Sequence, residues 1–464
     1  MEKRTQSQRI LIYFLLLLPL LLMRDVTPMN ELKYLSIADE SLRDGHFWTM
    51  YNHGVQYADK PPLYIWLIMG IKLLLGRHSV FLMTLFSILP ALGIILIFNK
   101  WCKNELNQGH TLAAEIAMMT TGYFIGGAVV LRMDMLMTLF IVLALWTFYR
   151  QTNGDHRLVL KIAFPLYVFL AIFTKGPVGF FAPLLCTAVW LACTRSLKDF
   201  FHYWNALTWG ILLLLCGLWW WQVYREGGMV YINDLLLHQT VGRSIDSWHH
   251  KGPWYYYLYS IWYMMAPWSL LTIGVIIWGL VKKIRLPQTI RFFLVCAGTI
   301  FVMLSIVSSK LQIYMLPAFP FINYAAFYIL QELPSGYPSL ARFCEVSRKV
   351  VVRGATVLLL LIFIGGCFVG KFNYALGFKE VAGEALQKAE ELDINEFCYH
   401  NIKMGANMDV FIGKELRRLT DEEFADPMQI IGQDEPGIII FTKDEKGIVH
   451  CNAFLKDIKN TEKI

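Results

Sequence analysis

The sequence predicts an all-α polytopic membrane protein with about eleven transmembrane helices, followed by a small C-terminal α/β domain on the extracytoplasmic side. Three observations carry this prediction. Apolar runs of spanning length recur from the N-terminus to residue 370. Only 17% of the 464 residues are charged, well below the share of about a quarter usual in soluble domains. The short basic clusters between the runs all fall on one side of the membrane when the runs are threaded alternately through it.

The spans are expected at 10–23, 80–99, 111–130, 136–149, 159–174, 177–194, 206–223, 259–281, 292–308, 313–331 and 354–370. The first follows Lys3, Arg4 and Arg9 and has the look of a signal peptide. Arg24-Asp25 follows in place of a small-residue cleavage site, so an uncleaved first helix is expected. With the N-terminus cytoplasmic, alternation places Lys100 and Lys103, Arg150 to Lys161, Arg195 and Lys198, Lys282 to Arg285, and Arg342 to Arg353 inside. Removing one helix would put half of these clusters outside, so their agreement supports the count. The expected setting is the inner, or plasma, membrane.

The same alternation exports three polar segments, 24–79, 224–258 and 371–464. In the first, a helix is expected over Asn30 to Arg43 and an amphipathic or interfacial helix over 63–75. Long loops of this kind are usually functional. The tail mixes helix-like stretches, Lys379 to Leu392 and Asp421 to Phe424, with a strand-like run from Gly437 to Thr442. The domain plan is therefore 1–370 for the membrane part, with working loops 24–79 and 224–258, and 371–464 for the tail.

Composition excludes some function classes. The net charge of +7 is modest, no basic run or nucleic-acid motif is present, and no nucleic-acid partner is expected. Abundant Trp and Tyr suit membrane interfaces, and membrane lipids are expected neighbours. The nine cysteines include no CxxC pair. Most lie in apolar runs as small core residues. Cys398 and Cys451 lie in the tail, where an exported domain would allow them to pair.

The polar and ionisable residues hardest to explain as packing lie in or beside the exported segments. They are Asn30, Glu31, Lys33, Tyr34, Asp39, Glu40, Asp59 and Lys60 in the first, and His238, Arg243, Asp246, His249 and His250 in the second. Asp134, Lys175 and Lys310 sit at the ends of spans. Charges there are expensive and point to function, although Lys175 and Lys310 could equally cap helix ends and Asp134 could pair with Arg132. Acids, cations and histidines near one face suit an anionic lipid headgroup and an acceptor. A phosphate needs fixed cations, a hydroxyl acceptor needs a carboxylate as base, and an Asp with a His could share a divalent metal such as zinc or magnesium.

Over most of residues 1–330 the chain resembles the lipid-phosphate-dependent GT-C glycosyltransferases, in the branch of aminoarabinose transferases and protein mannosyltransferase-like enzymes. The resemblance rests on motifs in order: Asn30-Glu31-Leu32-Lys33-Tyr34, Ala38-Asp39-Glu40-Ser41-Leu42, Asp59-Lys60-Pro61-Pro62, Arg132-Met133-Asp134, Thr174-Lys175-Gly176-Pro177, His238 with Arg243, His250-Lys251-Gly252-Pro253-Trp254, and Ser309-Lys310-Leu311 with Tyr314 and Pro317. It implies a sugar moved from a polyprenyl-phosphate donor to a hydroxyl or phosphate of a lipid, glycan or protein acceptor outside the cytoplasm.

It also implies a site. The family's catalytic Asp falls on Asn30, whose amide cannot accept a proton, so the base passes to Glu31 or Asp134. Lys60 and Arg243 match cations on the donor phosphate, with Tyr314 and Lys310 near the headgroup. Asp59 and His238 match residues that can hold a metal. No Gly-rich nucleotide loop is present, in keeping with a lipid-linked donor and no nucleotide cofactor. Two other classes stay open on the residues alone: a lipid or solute transporter or flippase, which predicts inverted repeats, and a catalytically silent relative, which Asn30 would suit.

Overall fold

The computed structural model describes residues 5–236, 251–432 and 435–456. The chain divides into two compact units. The first comprises Met1–Leu18, Tyr57–Tyr64 and Thr84–Phe363, and the second Pro19–Gln56, Ile65–Met83 and Ile364–Ile464.

All eleven predicted spans are helical, but not all are single long helices. Among the described residues, eight helical segments are long and apolar enough to cross a membrane, or nine if one bent pair is a single span. They include α1 (Gln6–Met23), α4 (Val80–Trp101), α7 (Asp134–Thr152), α8 (Leu158–Lys175), α10 (Ala206–Asn233), α13 (Gln288–Ile306) and α15 (Ala341–Phe368). The eighth joins the 3-10 turn Gln312–Ala318 to α14 (Phe319–Gly336). The other predicted spans are broken or short.

The break in the predicted span 111–130 has a visible cause. Helices α5 (Gln108–Met119) and α6 (Gly122–Val129) meet at 63°. Thr120 and Thr121 turn their hydroxyls back onto the carbonyls of Ile116 and Ala117, and the Gly122 amide donates to the Ala266 carbonyl at 2.9 Å. That carbonyl precedes Pro267, where the predicted span 259–281 divides into α11 (Tyr256–Met264) and α12 (Ser269–Val281). Trp268 closes the junction, its Nε1 donating to Thr120 Oγ1 at 2.8 Å. The second interruption thus supplies a backbone acceptor for an amide freed at the first, as a break within a membrane requires.

In the first unit an aromatic core joins α4, α13 and α14, with Phe98, Trp101, Phe293 and Phe321 in ring contact at 4.9–6.2 Å. Beside it lies a fully buried acid, Glu115 of α5. Arg9 donates to it at 2.8 and 2.5 Å, Asn99 at 2.7 Å and Tyr13 at 3.3 Å. A buried carboxylate is tolerated only when paired in this way.

Helices α8 and α9 (Pro177–Cys193) reverse direction through Gly176, whose φ of 89° and ψ of −140° suit glycine alone. Pro177 then starts α9 at its first position. A Cβ on Gly179 would lie 2.3 Å from the Ala171 carbonyl carbon, so the helices are in backbone contact. Gly179→Ala should therefore destabilise the protein by about 1–3 kcal/mol through overpacking. A melting curve in detergent checks this, and an unchanged Tm would mean the contact is loose.

In the second unit a π-helical turn, Pro28–Leu32, leads into α2 (Lys33–Asp44), and together they cover the predicted helix Asn30 to Arg43. A hairpin of β1 (Tyr51–Asn52) and β2 (Val55–Gln56) follows, turning through His53 and Gly54, both at positive φ. The buried Glu40 accepts from both turn amides, at 2.6 and 2.7 Å, and so fixes the turn to α2. Helix α3 (Leu63–Leu75) keeps the predicted bounds but is apolar almost throughout, with Lys72 its one charge, and so is not amphipathic.

The tail forms the expected small α/β domain. Its sheet runs β4-β3-β5-β6, with β3 (Glu396–Tyr399) parallel to β4 (Arg417–Arg418) and β5 (Gly437–Lys443), and β6 (Val449–Leu455) antiparallel. Helix α16 (Lys379–Leu392), with the predicted bounds, packs on β5 and β6. The pairing of Cys398 with Cys451 is corrected by the register. Cys398 sits opposite Ile440 and Cys451 opposite Phe441. The two cysteines therefore lie two strands apart and on opposite faces, beyond disulfide reach. Both are free thiols.

Candidate functional site

In the first unit the structure gathers several sequence-predicted residues at helix ends. Asp134 opens α7, where an acid suits the helix N-terminus, and Lys175 closes α8, where a cation suits the C-terminus. The chain before Asp134 is pinned by Ser87, whose hydroxyl donates to the Val130 carbonyl at 2.7 Å. Asp134 is 1% exposed and has a cation on each oxygen: Lys175 Nζ on Oδ1, and Arg132 Nε on Oδ2 at 3.0 Å. Lys175 also stands over the Tyr314 ring, 4.3 Å from its centroid, a cation–π contact. Tyr314 is set by the 3-10 turn Gln312–Ala318.

Lys60 completes the group. It is close enough to Lys175 for their like charges to act on each other, and its Nζ lies 3.3 Å from Asp59 Oδ2. Tyr57 donates to the same oxygen at 3.3 Å. Among the described residues, Arg132 and Lys175 share the one carboxylate of Asp134, while Lys60 pairs with Asp59 within electrostatic range of Lys175. An excess of positive charge held by buried neighbours suits an anionic ligand. Arg132 and Lys175 appear in the sequence motifs, yet reasoning on single residues did not place them in the site.

Lys310 has another job. Its ammonium donates to the carbonyls of Leu304, Ser305 and Val307, capping the C-terminal end of α13. Burial pushes its pKa below the ordinary lysine value. Residues 251–254 run beside it: Lys251 bridges to Ser309, and a Cβ on Gly252 would meet Lys310 Cγ at 2.7 Å.

Asn30 and Glu31 lie in the second unit, on the turn before α2. Glu31 is buried and heavily engaged: Arg24 binds both its oxygens, at 2.6 and 2.7 Å, and Thr27 donates from its amide at 2.7 Å and its hydroxyl at 2.8 Å. Asp39 is bridged by Lys72 at 2.5 Å and His78 Nε2 at 2.7 Å. A third group is one that sequence reasoning missed. His53 Nε2 lies 3.0 Å from Asn407 Oδ1, and Ser36 donates to Asp409 Oδ2 at 3.0 Å. Burial raises the Asp409 pKa, and His53 opposes the rise. No periodicity or motif links residues 36 and 53 to residues 407 and 409.

His238 and Arg243, with Asp246, His249 and His250, lie outside the described residues. Among the described residues, no three His, Cys, Asp or Glu side chains group closely enough to hold a metal ion. Asp59 alone represents the expected pair, and an ammonium group on its carboxylate opposes a second cation there. The expected partner, His238, lies outside the described residues, and no step is derived through a metal.

Comparison with known proteins bears on this arrangement. The family model described as dolichyl-phosphate-mannose-protein mannosyltransferase matches residues 59–221, a range that holds Asp59-Lys60, Arg132-Met133-Asp134 and Thr174-Lys175-Gly176-Pro177. An uncharacterized protein of Aquifex aeolicus is 26% identical over 297 residues, covering 63% of this chain and 57% of that one. The undecaprenyl phosphate-alpha-4-amino-4-deoxy-L-arabinose arabinosyl transferase of Pectobacterium atrosepticum is 26% identical over 298 residues, covering 62% and 52%. The chain spans about half the length of the curated relatives it matches. Among solved structures, ArnT from Cupriavidus metallidurans bound to undecaprenyl phosphate superposes with a TM-score of 0.71 at 17% identity, covering 96% of this chain and 94% of that one. The archaeal oligosaccharyltransferase AglB from Archaeoglobus fulgidus, in complex with an inhibitory peptide and a dolichol-phosphate, gives 0.56 at 11% identity, covering 89% and 64%. At these identities the superpositions show the fold.

Proposed function

From a GT-C fold of the aminoarabinose-transferase type, which this chain has, we propose that the protein is a membrane glycosyltransferase that takes a sugar from a polyprenyl-phosphate donor. One observation supports the reading: the cations Arg132 and Lys175 converge on the buried Asp134, with Lys175 over the Tyr314 ring, in a chain of this fold. The named ligands of the solved neighbours, undecaprenyl phosphate and a dolichol-phosphate, support a donor of that class. The protein is placed in the inner membrane, with its N-terminus cytoplasmic, and with segments 24–79 and 224–258 and the tail 371–464 outside.

The reaction is a single displacement at the anomeric carbon. An acceptor oxygen forms the new bond to that carbon while the bond to the phosphate oxygen breaks. The electron pair leaves with the polyprenyl phosphate, and the cations neutralise the charge that develops there. Lys60 binds the leaving phosphate, joined by Arg243. Asp134 holds Lys175 and Arg132 in place. Tyr314 holds Lys175 through the cation–π contact.

Asn30 offers no basic oxygen, and among the described residues Glu31, Asp39, Glu40, Asp59 and Asp134 are all engaged by donors. A phosphate on a lipid is already an anion and needs no base, which favours a phosphate-bearing lipid as the acceptor. The test is reconstitution in nanodiscs with undecaprenyl-phosphate-linked pentose or hexose and lipid acceptors with and without a terminal phosphate, read by mass spectrometry. Sugar on the phosphate-bearing lipid and release of undecaprenyl phosphate are expected. Failure to transfer to any acceptor, together with failure to bind the donor, would end the proposal.

A further inference from the structure

Where the C-terminal domain touches the first hairpin, a group of polar side chains meets, all of them in the second unit. Ser36 belongs to α2, and Asn52 and His53 to the hairpin of β1 and β2. Asn407 belongs to the 3-10 turn Gly405–Met408, and Asp409 opens the helical turn Asp409–Ile412. Ser36 and Asn407 are 0% and 1% exposed, so they depend on this group for their hydrogen bonds. The side chains of His53 and Asp409 are 27% and 17% exposed, which leaves solvent protons a way in.

The hydrogen bonds order themselves from the Asp409 carboxylate. It accepts from the Ser36 hydroxyl at 3.0 Å. With that proton donated, Ser36 Oγ accepts from Asn52 Nδ2 at 3.3 Å. The same nitrogen donates to Asn407 Oδ1 at 3.2 Å. Asn407 therefore presents an oxygen to His53 Nε2, 3.0 Å away, and this ring nitrogen carries the proton. Ser36 Oγ, 3.4 Å from Nε2, faces it as an acceptor too. The other ring nitrogen, Nδ1, lies 3.9 Å from Asp409 Oδ2. In a neutral ring with Nε2 protonated, Nδ1 turns a lone pair towards the carboxylate. In an imidazolium it turns a proton towards it. The surroundings thus match the charged ring at both nitrogens.

The neighbouring charges act in the same sense. On α2, Glu40 accepts from the His53 amide, and Asp39 is close enough to act on Asp409. Asp39 is bridged by Lys72 of α3 and by His78. From the tail side α16 packs on the turn that holds Asp409, and its Lys388 donates to the Cys451 carbonyl. Burial holds the Asp409 carboxyl above the ordinary carboxylate value, while His53 opposes the rise. A raised carboxyl contributes stability that is complete below its ordinary value and is lost as pH climbs through the raised one.

We propose that these side chains form a pH-sensitive latch between the C-terminal domain and the hairpin: a proton on His53 closes it against Asp409, and loss of that proton loosens it. The latch needs no substrate and stands whether or not the transferase reading does. Imidazoles ordinarily titrate near about 6.5, so the response is expected between about pH 5.5 and 8.0.

Amide exchange on the full-length protein in nanodiscs tests the latch, with each rate divided by the intrinsic rate at the same pH. Protection across residues 33–56 should be about five- to tenfold higher at about pH 5.5 than at about pH 8.0. Asp409→Asn keeps an oxygen for Ser36 but removes the charge, and should cut that difference to within about twofold. His53→Asn tolerates the positive φ of the turn and cannot titrate, and should cut it in the same way. Equal protection of the unaltered protein at the two pH values, or higher protection at the alkaline one, would overturn the latch. A full pH difference surviving in either folded variant would overturn it as well, and would assign the response to another group, such as His78.

Discussion

Replacing Asp134 with alanine should both abolish transfer and destabilise the protein by about 3–5 kcal/mol, because it leaves the buried Lys175 without its counter-charge. The partner is 5% exposed and ends a membrane-spanning helix, so water cannot take the place of the carboxylate. Arg132 loses its contact in the same step and adds a second like charge to the neighbourhood. The cause can be isolated with a second substitution. Asp134→Ala combined with Lys175→Met removes both charges, and should recover most of the lost Tm, since an uncharged buried pair is often as stable as an ionic one. Transfer should stay absent in the double variant, because the cations around the donor phosphate are no longer held. A single Asp134→Ala variant with unaltered Tm and turnover would show that the ion pair is neither structural nor part of the site.

The sequence made the membrane architecture legible because its signals are local. Every apolar run it marked is helical, although among the described residues eight or nine segments, not eleven, are long and apolar enough to cross a membrane, and the helices Leu63–Leu75 and Lys379–Leu392 were read with their observed bounds. What it missed depends on distant partners. The bend after Met119 exists because the Ala266 carbonyl receives the Gly122 amide, an arrangement that no window of twenty residues contains. The two cysteines of the tail looked pairable until the strand register set them on opposite faces. The candidate site shows the same division. Lys60, Asp134 and Tyr314 were visible as costly or motif-bound residues, whereas their assembly with Arg132 and Lys175 is a property of the fold. Lys310 was equally visible, and the structure gives it the helix-capping role that its position also allowed. Glu31 illustrates the opposite problem. As a letter it is a free acid, yet in the fold its oxygens are bound by Arg24 and Thr27.

Lys60→Ala should lower sugar transfer by about 10²–10³-fold, equivalent to about 3–4 kcal/mol of transition-state stabilisation, with a smaller fall in Tm than Asp134→Ala. The contrast with Asp134 follows from exposure. The Lys60 and Asp59 side chains are 15% and 19% exposed, against 5% and 1% for Lys175 and Asp134, so water can partly replace the lost partner. Its value lies in the ligand it meets. An ammonium placed on a departing phosphate gains most when negative charge accumulates, so turnover should fall further than the affinity for intact donor. Binding of undecaprenyl phosphate, the product with the most localised charge, should weaken too, and the residual binding should lose part of its dependence on ionic strength. Lys60→Arg keeps the charge but changes its shape, and should recover part of the rate. Measuring turnover, product inhibition by undecaprenyl phosphate and Tm on the three proteins separates a phosphate ligand from a fold-stabilising lysine. Wild-type turnover in Lys60→Ala would remove the cation nearest the proposed leaving group from the mechanism, and with it the reason for placing the donor phosphate at this cluster.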